Sequence, residues 1–307
     1  MSDKKYIVAQ DAGGSMTDCF LVDTDGNFST GKYITHPEAE KLSYMGSLAD
    51  AASKWKMDTG AIHKSAISCT YTGTSMINIL VTQGGSNVGL LITRGFAHLP
   101  IIERGLTWIG QTYEDILHQQ LHEHTPWLVQ PKNIKEVTER INVGSYYMQH
   151  HSLPGTVIIP MVEGDVVQGV HELLDNGVEI IACMTIGSYT NTAHENRMAE
   201  IAREIIAKRG LEIPVITSNE MCSVPNETER LKTLLIQCYI QETARKALLS
   251  VEDAAREEGY NYDLMTLLGY GAAATVRYPK LAEAVASGPT GGLLGGRYIA
   301  EFLHRPN

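Results

Sequence analysis

The chain has 307 residues, a formal net charge of −10 and a charged fraction of 20%. This length can bury a sizeable core and typically forms two lobes. The negative charge argues against a general nucleic-acid binder or a protein that binds anionic membranes, and the apolar runs stop short of the roughly 20 residues that a membrane helix needs.

Predicted strands and helices alternate along most of the chain. Short apolar runs predict the strands, and apolar residues at helical spacing predict the helices between them. This alternation indicates an α/β fold with parallel pairing. Residues 97–147 show no clear period. The predicted strands are 6–10, 19–23, 27–34, 65–71, 88–93, 178–184, 213–217 and 263–268, and the predicted helices are 37–55, 74–83, 163–174, 193–208, 226–258 and 293–303.

The first motif, DAGGSMTD, interrupts two predicted strands at residues 11–18. A P-loop or dinucleotide fingerprint would run from its glycines into a helix, whereas this segment reads strand–turn–strand. Gly13 and Gly14 would let successive N–H groups face one anion, with Ser15 and Thr17 adding hydroxyls. Asp11 would hold Mg²⁺ or its water shell. The alternative is a plain hairpin whose glycines supply a positive φ.

The second motif, YTGTSMIN, joins a predicted strand to a helix at residues 71–78. Gly73, Thr74 and Ser75 would present hydroxyl and N–H groups at the start of that helix. The alternative is simple N-capping by Thr74 or Ser75.

The third motif, SGPTGGLLGG, occupies residues 287–296. If Gly291 and Gly292 open a helix, its bare N-terminus could approach a nucleotide. The glycines could equally serve close packing of the helix on the sheet.

Two further residue sets give weaker indications. His118, His122 and His124 have a spacing that could bind a metal on a helix, although a solvated face explains it better. The five cysteines are scattered, without a CxxC pair, which predicts reduced thiols and a cytoplasmic location. They are Cys19, Cys69, Cys183, Cys222 and Cys238.

The motifs taken together resemble the hydantoinase A / oxoprolinase / acetone carboxylase superfamily from residue 7 to about 303. The segments that carry the resemblance are DAGGSMTD, YTGTSMIN, VGLLITRGF, EVTERI, GSYTNTAHENR, NETERLKT and SGPTGG. Within the family, YTGTSMIN and the YEDILH segment are more similar to the nucleotide-site subunit of the ketone carboxylases. Thr192, where the family usually has proline, and Ser15, in place of threonine, depart from the pattern.

The resemblance implies an actin/Hsp70/sugar-kinase-like ATPase fold, in which two glycine-bearing hairpins hold the ATP phosphates. It assigns Asp11, Gly13, Gly14, Ser15 and Thr17 to the first hairpin. It also places Gly73, Thr74 and Ser75 near the reacting centre. ATP with Mg²⁺ or Mn²⁺ is expected, and another metal is expected in a partner subunit. Residues 1–200 would form the N-terminal family region, and 201–307 the start of a second lobe.

The function that the resemblance implies is ATP-dependent carboxylation of a ketone such as acetone or acetophenone, with bicarbonate. The alternatives are ATP-dependent opening of a hydantoin or 5-oxoproline ring, and a non-catalytic assembly subunit. No second Asp-x-Gly-Gly segment occurs in the sequence. We therefore expect the chain to be either a fragment of a longer protein or a split-gene product whose partner chain supplies the second hairpin, and the chain alone to be inactive.

Overall fold

The computed structural model describes residues 4–102, 112–118, 127–144 and 153–305. The strands are β1 (Tyr6–Ala12), β2 (Met16–Asp23), β3 (Phe28–Ile34), β4 (Ala66–Gly73), β5 (Val88–Thr93), β6 (Ile134–Val137), β7 (Arg140–Ile141), β8 (Val157–Ile159), β9 (Ile180–Met184), β10 (Val215–Thr217), β11 (Met265–Leu267) and β12 (Ala273–Thr275). The helices are α1 (Glu40–Ser53), α2 (Thr59–Ser65), α3 (Ser75–Val81), α4 (Leu99–Ile102), α5 (Tyr113–Leu117), α6 (Glu163–Asp175), α7 (Ala193–Lys208), α8 (Ser218–Met221), α9 (Glu227–Glu257) and α10 (Ser287–Phe302).

These elements form two compact units, and the first unit combines residues 1–85 with residues 240–307. Its sheet has six strands in the order β12-β11-β4-β1-β2-β3. The strands β1, β2 and β3 form an antiparallel meander, while β4 pairs in parallel with both β1 and β11. The ends of β1 and β4 therefore lie side by side, because parallel neighbours finish at the same edge of a sheet.

One face of this sheet, which we call the inner face, is covered by α1 and α2. Tyr44, Leu48 and Ala51 of α1 are fully buried against it. The helix approaches so closely at Gly31 that a Cβ there would lie 2.5 Å from the backbone nitrogen of Ala51 and even closer to the Ser47 carbonyl oxygen. Glycine at position 31 therefore fixes the distance of α1 from the sheet.

The opposite, outer face is packed against α10, which contacts β4 and β11. Elsewhere this face exposes large apolar side chains, because alternate residues of each strand point outward. Phe20 and Phe28 stack there with ring centroids 5.4 Å apart, and both are exposed. Ile7 and Ile67 are exposed as well. An apolar surface of this kind usually marks a site of contact with other protein.

The second unit, residues 86–239, contains a parallel sheet in the order β10-β9-β5-β6. Every residue of β5 and β9 is buried, as expected for parallel strands covered on both faces. The buried carboxylate of Glu195 accepts hydrogen bonds from Thr185 N (2.9 Å), Ser218 Oγ (2.8 Å) and both nitrogens of Asn219 (2.8 and 2.7 Å). Four donors offset the cost of burying this charge.

The fold class predicted from the sequence is confirmed as a mixed α/β fold with parallel sheets. The positions of most predicted elements are confirmed, and α7 and β5 match to the residue. The short helix α2 was not predicted. The division into regions 1–200 and 201–307 stays a prediction. No helix among the described residues is long and apolar enough to cross a membrane.

We predict that Gly31→Ala lowers the free energy of unfolding by about 1–3 kcal/mol, since the added methyl group must push α1 away from β3. Urea unfolding of the purified protein measures this. Gly295→Ala is the control, because a Cβ there meets nothing within 4 Å and alanine favours the helix α10 by up to about 1 kcal/mol. Equal stability of Gly31→Ala and the wild type would contradict the packing described here.

Candidate functional site

The turn between β1 and β2 begins after the pair Ala12–Thr17 and contains both glycines of the first motif. Gly13 N–H donates to the Met16 carbonyl at 3.0 Å, which closes the turn and uses this N–H within the chain. A Cβ on Gly14 would meet nothing within 4 Å. Neither glycine has a positive φ. The segment is a hairpin, but its glycines do not supply the expected positive φ, and the Gly13 N–H is not free to face an anion. Gly14 leaves open space above the turn.

Ser15 and Thr17 have different surroundings. Ser15 is exposed, and its carbonyl accepts from Thr35 N at 2.9 Å. Thr17 is fully buried, and its hydroxyl lies 3.0 Å from the Thr35 hydroxyl. The Thr17 hydroxyl therefore lies beneath the turn and supports it. The sequence had predicted that this hydroxyl would lie at the surface of the turn and contact an anion.

The second motif lies beside this turn because β4 ends next to β1. The carbonyl oxygen of Ala12 accepts from Thr74 N at 2.9 Å and from Thr74 Oγ1 at 3.3 Å. A Cβ on Gly73 would lie 2.7 Å from the Ala12 Cβ and closer still to the Ala12 carbonyl oxygen. Glycine at position 73 is required by this contact, and the contact joins the two motifs.

A cavity of about 450 Å³ opens on the inner-face side of the joined motifs, entirely within the first unit. Its polar lining includes Thr74 and Ser75, and Gly13 forms part of its edge. N-capping by the Thr74 side chain is not observed; its hydroxyl contacts Ala12 and Asn78 instead. The remaining lining residues are Ala12, Thr35, Pro37, Glu38, Glu40, Asn78, Ile79, Thr82, Gly84, Thr243, Ala244 and Ala247.

Glu40 is the buried acidic residue of this lining, and the sequence did not indicate it. It is the first residue of α1 and only 3% exposed. Burial raises its pKa, and Ser75 and Tyr71 lower it by smaller amounts. Its Oε2 atom and the nearby Tyr71 hydroxyl are both buried without hydrogen-bond partners. Glutamate is common in the first turn of a helix, so the sequence alone does not indicate that Glu40 lines a cavity.

Asp11 lies on the outer-face side of the same strand end. It pairs with Asp18 across the hairpin and with Thr72 on β4. Partial burial, and secondarily the charge of Asp18, raise the pKa of Asp11. The Thr72 hydroxyl donates to Ser287 Oγ at 2.7 Å, which holds the first turn of α10 near Asp11.

Gly291 and Gly292 do not open the last helix, as the sequence predicted, because α10 already begins at Ser287. They lie in its second turn, where their N–H groups belong to the helix. A Cβ on Gly291 would lie 3.2 Å from Leu267 Cδ2, so this glycine serves helix–sheet packing. Gly292 is exposed and has open space around it.

The described residues contain no group of three or more His, Cys, Asp or Glu that could hold a metal. His118 is exposed, and His122 and His124 lie outside the described residues. Asp11 could hold one hydrated divalent cation, since Mg²⁺ keeps most of its water and the raised pKa of Asp11 favours a neighbouring positive charge. The facing carboxylate of Asp18 is already paired with Lys32 Nζ at 3.0 Å.

Several curated proteins are similar to this chain over almost its whole length. The acetone carboxylase beta subunit of Xanthobacter autotrophicus is 31% identical over 302 residues, which are 98% of this chain and 41% of that protein. The acetophenone carboxylase gamma subunit of Aromatoleum aromaticum is 26% identical, over 97% of this chain and 39% of that protein. The chain thus spans about two fifths of the length of these relatives.

Solved structures show the same fold. A nucleotide-free structure of acetone carboxylase superposes with a TM-score of 0.87 at 30% identity, covering 98% of this chain and 41% of that one. The ATP-dependent caprolactamase of Pseudomonas jessenii superposes with a TM-score of 0.78 at 21% identity, covering 97% of this chain and 40% of that one.

Two family models match successive parts of the sequence. The hydantoinase/oxoprolinase N-terminal region matches residues 7–206, and the hydantoinase/oxoprolinase model matches residues 230–307. The first match alone covers more than half of the chain and includes both joined motifs. The protein belongs to the hydantoinase/oxoprolinase family.

Proposed function

We propose that the chain is a subunit of an ATP-dependent carboxylase that acts on a small ketone and bicarbonate. The observation that carries this is the 31% identity to the acetone carboxylase beta subunit over 98% of the chain. The structure supports it independently, because the glycine turn and the YTGTSMIN segment meet beside one cavity. An actin-like ATPase fold is part of the proposal.

The chemistry explains why ATP would be consumed. An unactivated ketone forms little enol, and bicarbonate is a weak electrophile. Phosphorylation of both, to an enol phosphate and carboxyphosphate, makes formation of the carbon–carbon bond feasible. The protein then contributes mainly by positioning the reactants and neutralising charge. We place the carboxylation step itself in a partner subunit with its own metal.

In this proposal the turn around Gly14 receives the terminal phosphates of ATP. The open space above Gly14 and the exposed Ser15 support the assignment. Thr17 and Thr35 hold the turn from beneath. Asp11 would hold Mg²⁺ or Mn²⁺ through water, and the metal would neutralise phosphate charge. Of the two hydroxyls predicted to contact the substrate oxygen, Ser75 is the better candidate, because the Thr74 hydroxyl already donates to the Ala12 carbonyl.

The alternative function is ATP-dependent opening of a cyclic amide. The caprolactamase subunit alpha of Pseudomonas jessenii, 22% identical over 303 residues, favours it. The same phosphate site would serve both reactions, with the lactam oxygen phosphorylated before water attacks. A non-catalytic assembly subunit is opposed by the open glycine turn.

Partner chains belong to the proposal because the first unit exposes apolar side chains on α10 and on the outer face of β2 and β3. Tyr298 and Phe302 of α10 are 70% and 74% exposed, and Phe20 and Phe28 are exposed on the outer face of the sheet. We propose that a partner subunit covers this surface and supplies the second phosphate hairpin. The isolated chain then has no ATP turnover.

The first test compares substrates in the assembled complex and in the isolated chain. We expect the complex to release phosphate from ATP when a ketone and bicarbonate are supplied together, and the isolated chain to release none. A phosphate-release assay with acetone, acetophenone, hydantoin, 5-oxoproline and caprolactam measures this. Turnover with cyclic amides alone would replace the ketone proposal with the alternative, and equal turnover by the isolated chain would refute the need for partners.

The second test concerns the glycine turn. Gly14→Ala should leave stability unchanged, since the new methyl group meets no atom of the chain within 4 Å. It should weaken ATP binding to the complex by at least about tenfold, or 1.4 kcal/mol, because the methyl group occupies the space assigned to phosphate. Isothermal titration measures the affinity, with Gly164→Ala, an exposed glycine of α6 whose Cβ would also meet nothing within 4 Å, as the matched control. Wild-type affinity in Gly14→Ala would remove the turn from the site.

The third test concerns the partner surface. The double variant Tyr298→Ser and Phe302→Ser should weaken assembly by at least about 30-fold, because buried aromatic side chains contribute strongly to protein interfaces. Sedimentation of the chain mixed with its partner subunits measures this. Arg297→Ser is the control, since its ion pair with Glu301 is exposed. Unchanged assembly by the double variant would show that α10 faces solvent in the complex.

A further inference from the structure

The cavity beside the joined motifs has walls that suit a small carbonyl compound. Ile79, Ala244, Ala247 and Pro37 supply apolar surface. Its polar lining includes Thr74 and Ser75, which follow β4, and Glu40 at the start of α1, while Thr82 and Thr243 line it elsewhere. A largely apolar pocket with a few convergent polar groups is the usual form of a site for a small organic ligand.

Glu40 is the acidic residue of this lining that is withdrawn from water. Glu38, which lines the same cavity, is exposed. The described contacts give Glu40 Oε2 no hydrogen-bond partner, and no ion pair of Glu40 occurs among the described residues. A buried carboxyl group without a partner is costly to maintain, which argues for a function.

The surroundings of Glu40 also favour a group that accepts a proton. Burial raises its pKa, so its carboxylate is a stronger base than one in water. Ser75 and Tyr71 lower this pKa by less than burial raises it, and no positively charged side chain contributes to it. The efficiency of a general base increases as its pKa approaches the working pH.

We propose that this cavity binds the ketone and that Glu40 is a catalytic residue, the general base that removes a proton from the carbon next to the carbonyl group. The inference rests on the proposed function, since it names the site at which the ketone is activated. The substrate class is a small ketone with at least one C–H bond beside its carbonyl group.

Removal of the proton by Glu40 is coupled to phosphorylation of the ketone oxygen. A Glu40 carboxylate oxygen takes the proton, and the electron pair of the broken C–H bond forms the carbon–carbon double bond. The carbonyl π pair moves to oxygen, which bonds to the terminal phosphorus of ATP as the bond from that phosphorus to the ADP oxygen breaks. The products are the enol phosphate, ADP and protonated Glu40, which then releases its proton to solvent. Ring opening of a lactam breaks no C–H bond.

The test is Glu40→Gln in the assembled complex, which keeps the shape of the side chain and removes the base. We expect kcat for ketone carboxylation to fall by about 10²–10⁴-fold, the usual contribution of general base catalysis. The residual turnover should show a primary isotope effect with fully deuterated ketone, because proton removal has become the slow step. ATP affinity should not change. Glu257→Gln, the same substitution at an exposed residue of α9, should behave as wild type.

Two results would overturn the inference and leave the proposed function intact. One is carboxylation by Glu40→Gln at nearly the wild-type rate. The other is a reduced rate without an isotope effect, which would indicate that Glu40 only supports the structure. Failure of the proposed function is a separate result, because the wild-type complex would then turn over no ketone at all.

Discussion

The carbonyl oxygen of Ala12 is the contact on which the candidate site depends. It accepts two hydrogen bonds from Thr74, and the strand ends approach so closely that position 73 must be glycine. The parallel pairing of β1 and β4 brings these ends to one edge of the sheet. Two motifs about 60 residues apart in sequence thereby become neighbours, and neither would form a site alone.

Because side chains alternate along β1 and β4, the functional residues at the strand ends lie on two different faces of the sheet. Asp11 and Thr72 point to the outer face, where α10 begins, while Ala12 and Gly73 meet on the inner face beside the cavity. The turn around Gly14 lies at the end of the hairpin between them. Phosphate, metal and ketone thus have separate places around one strand end in the proposed mechanism. The close packing of α1 at Gly31 fixes the position of Glu40 in the same arrangement.

The sequence predicted the alternating elements well, because buried parallel strands such as β5 and amphipathic helices such as α7 have strong apolar periods. It also identified Asp11, Gly13, Gly14 and Ser75 as candidates from local patterns. It could not distinguish the buried Thr17 from the exposed Ser15, because the burial of a hydroxyl depends on which face of the strand it lies on. It placed the start of α10 six residues too late, because glycine and proline usually mark a loop. Glu40 stayed hidden because its isolation from water arises only when α1 packs on the sheet.

The most direct measurement is a structure of the assembled complex with a non-hydrolysable ATP analogue and Mg²⁺. The account predicts terminal phosphate oxygens against the backbone of Gly14 and Ser15, with the metal on the Asp11 side. It also predicts a residue from another part of the assembly on the opposite side of the phosphates. A nucleotide bound elsewhere, with the turn covered by protein and no room for an anion, would contradict it.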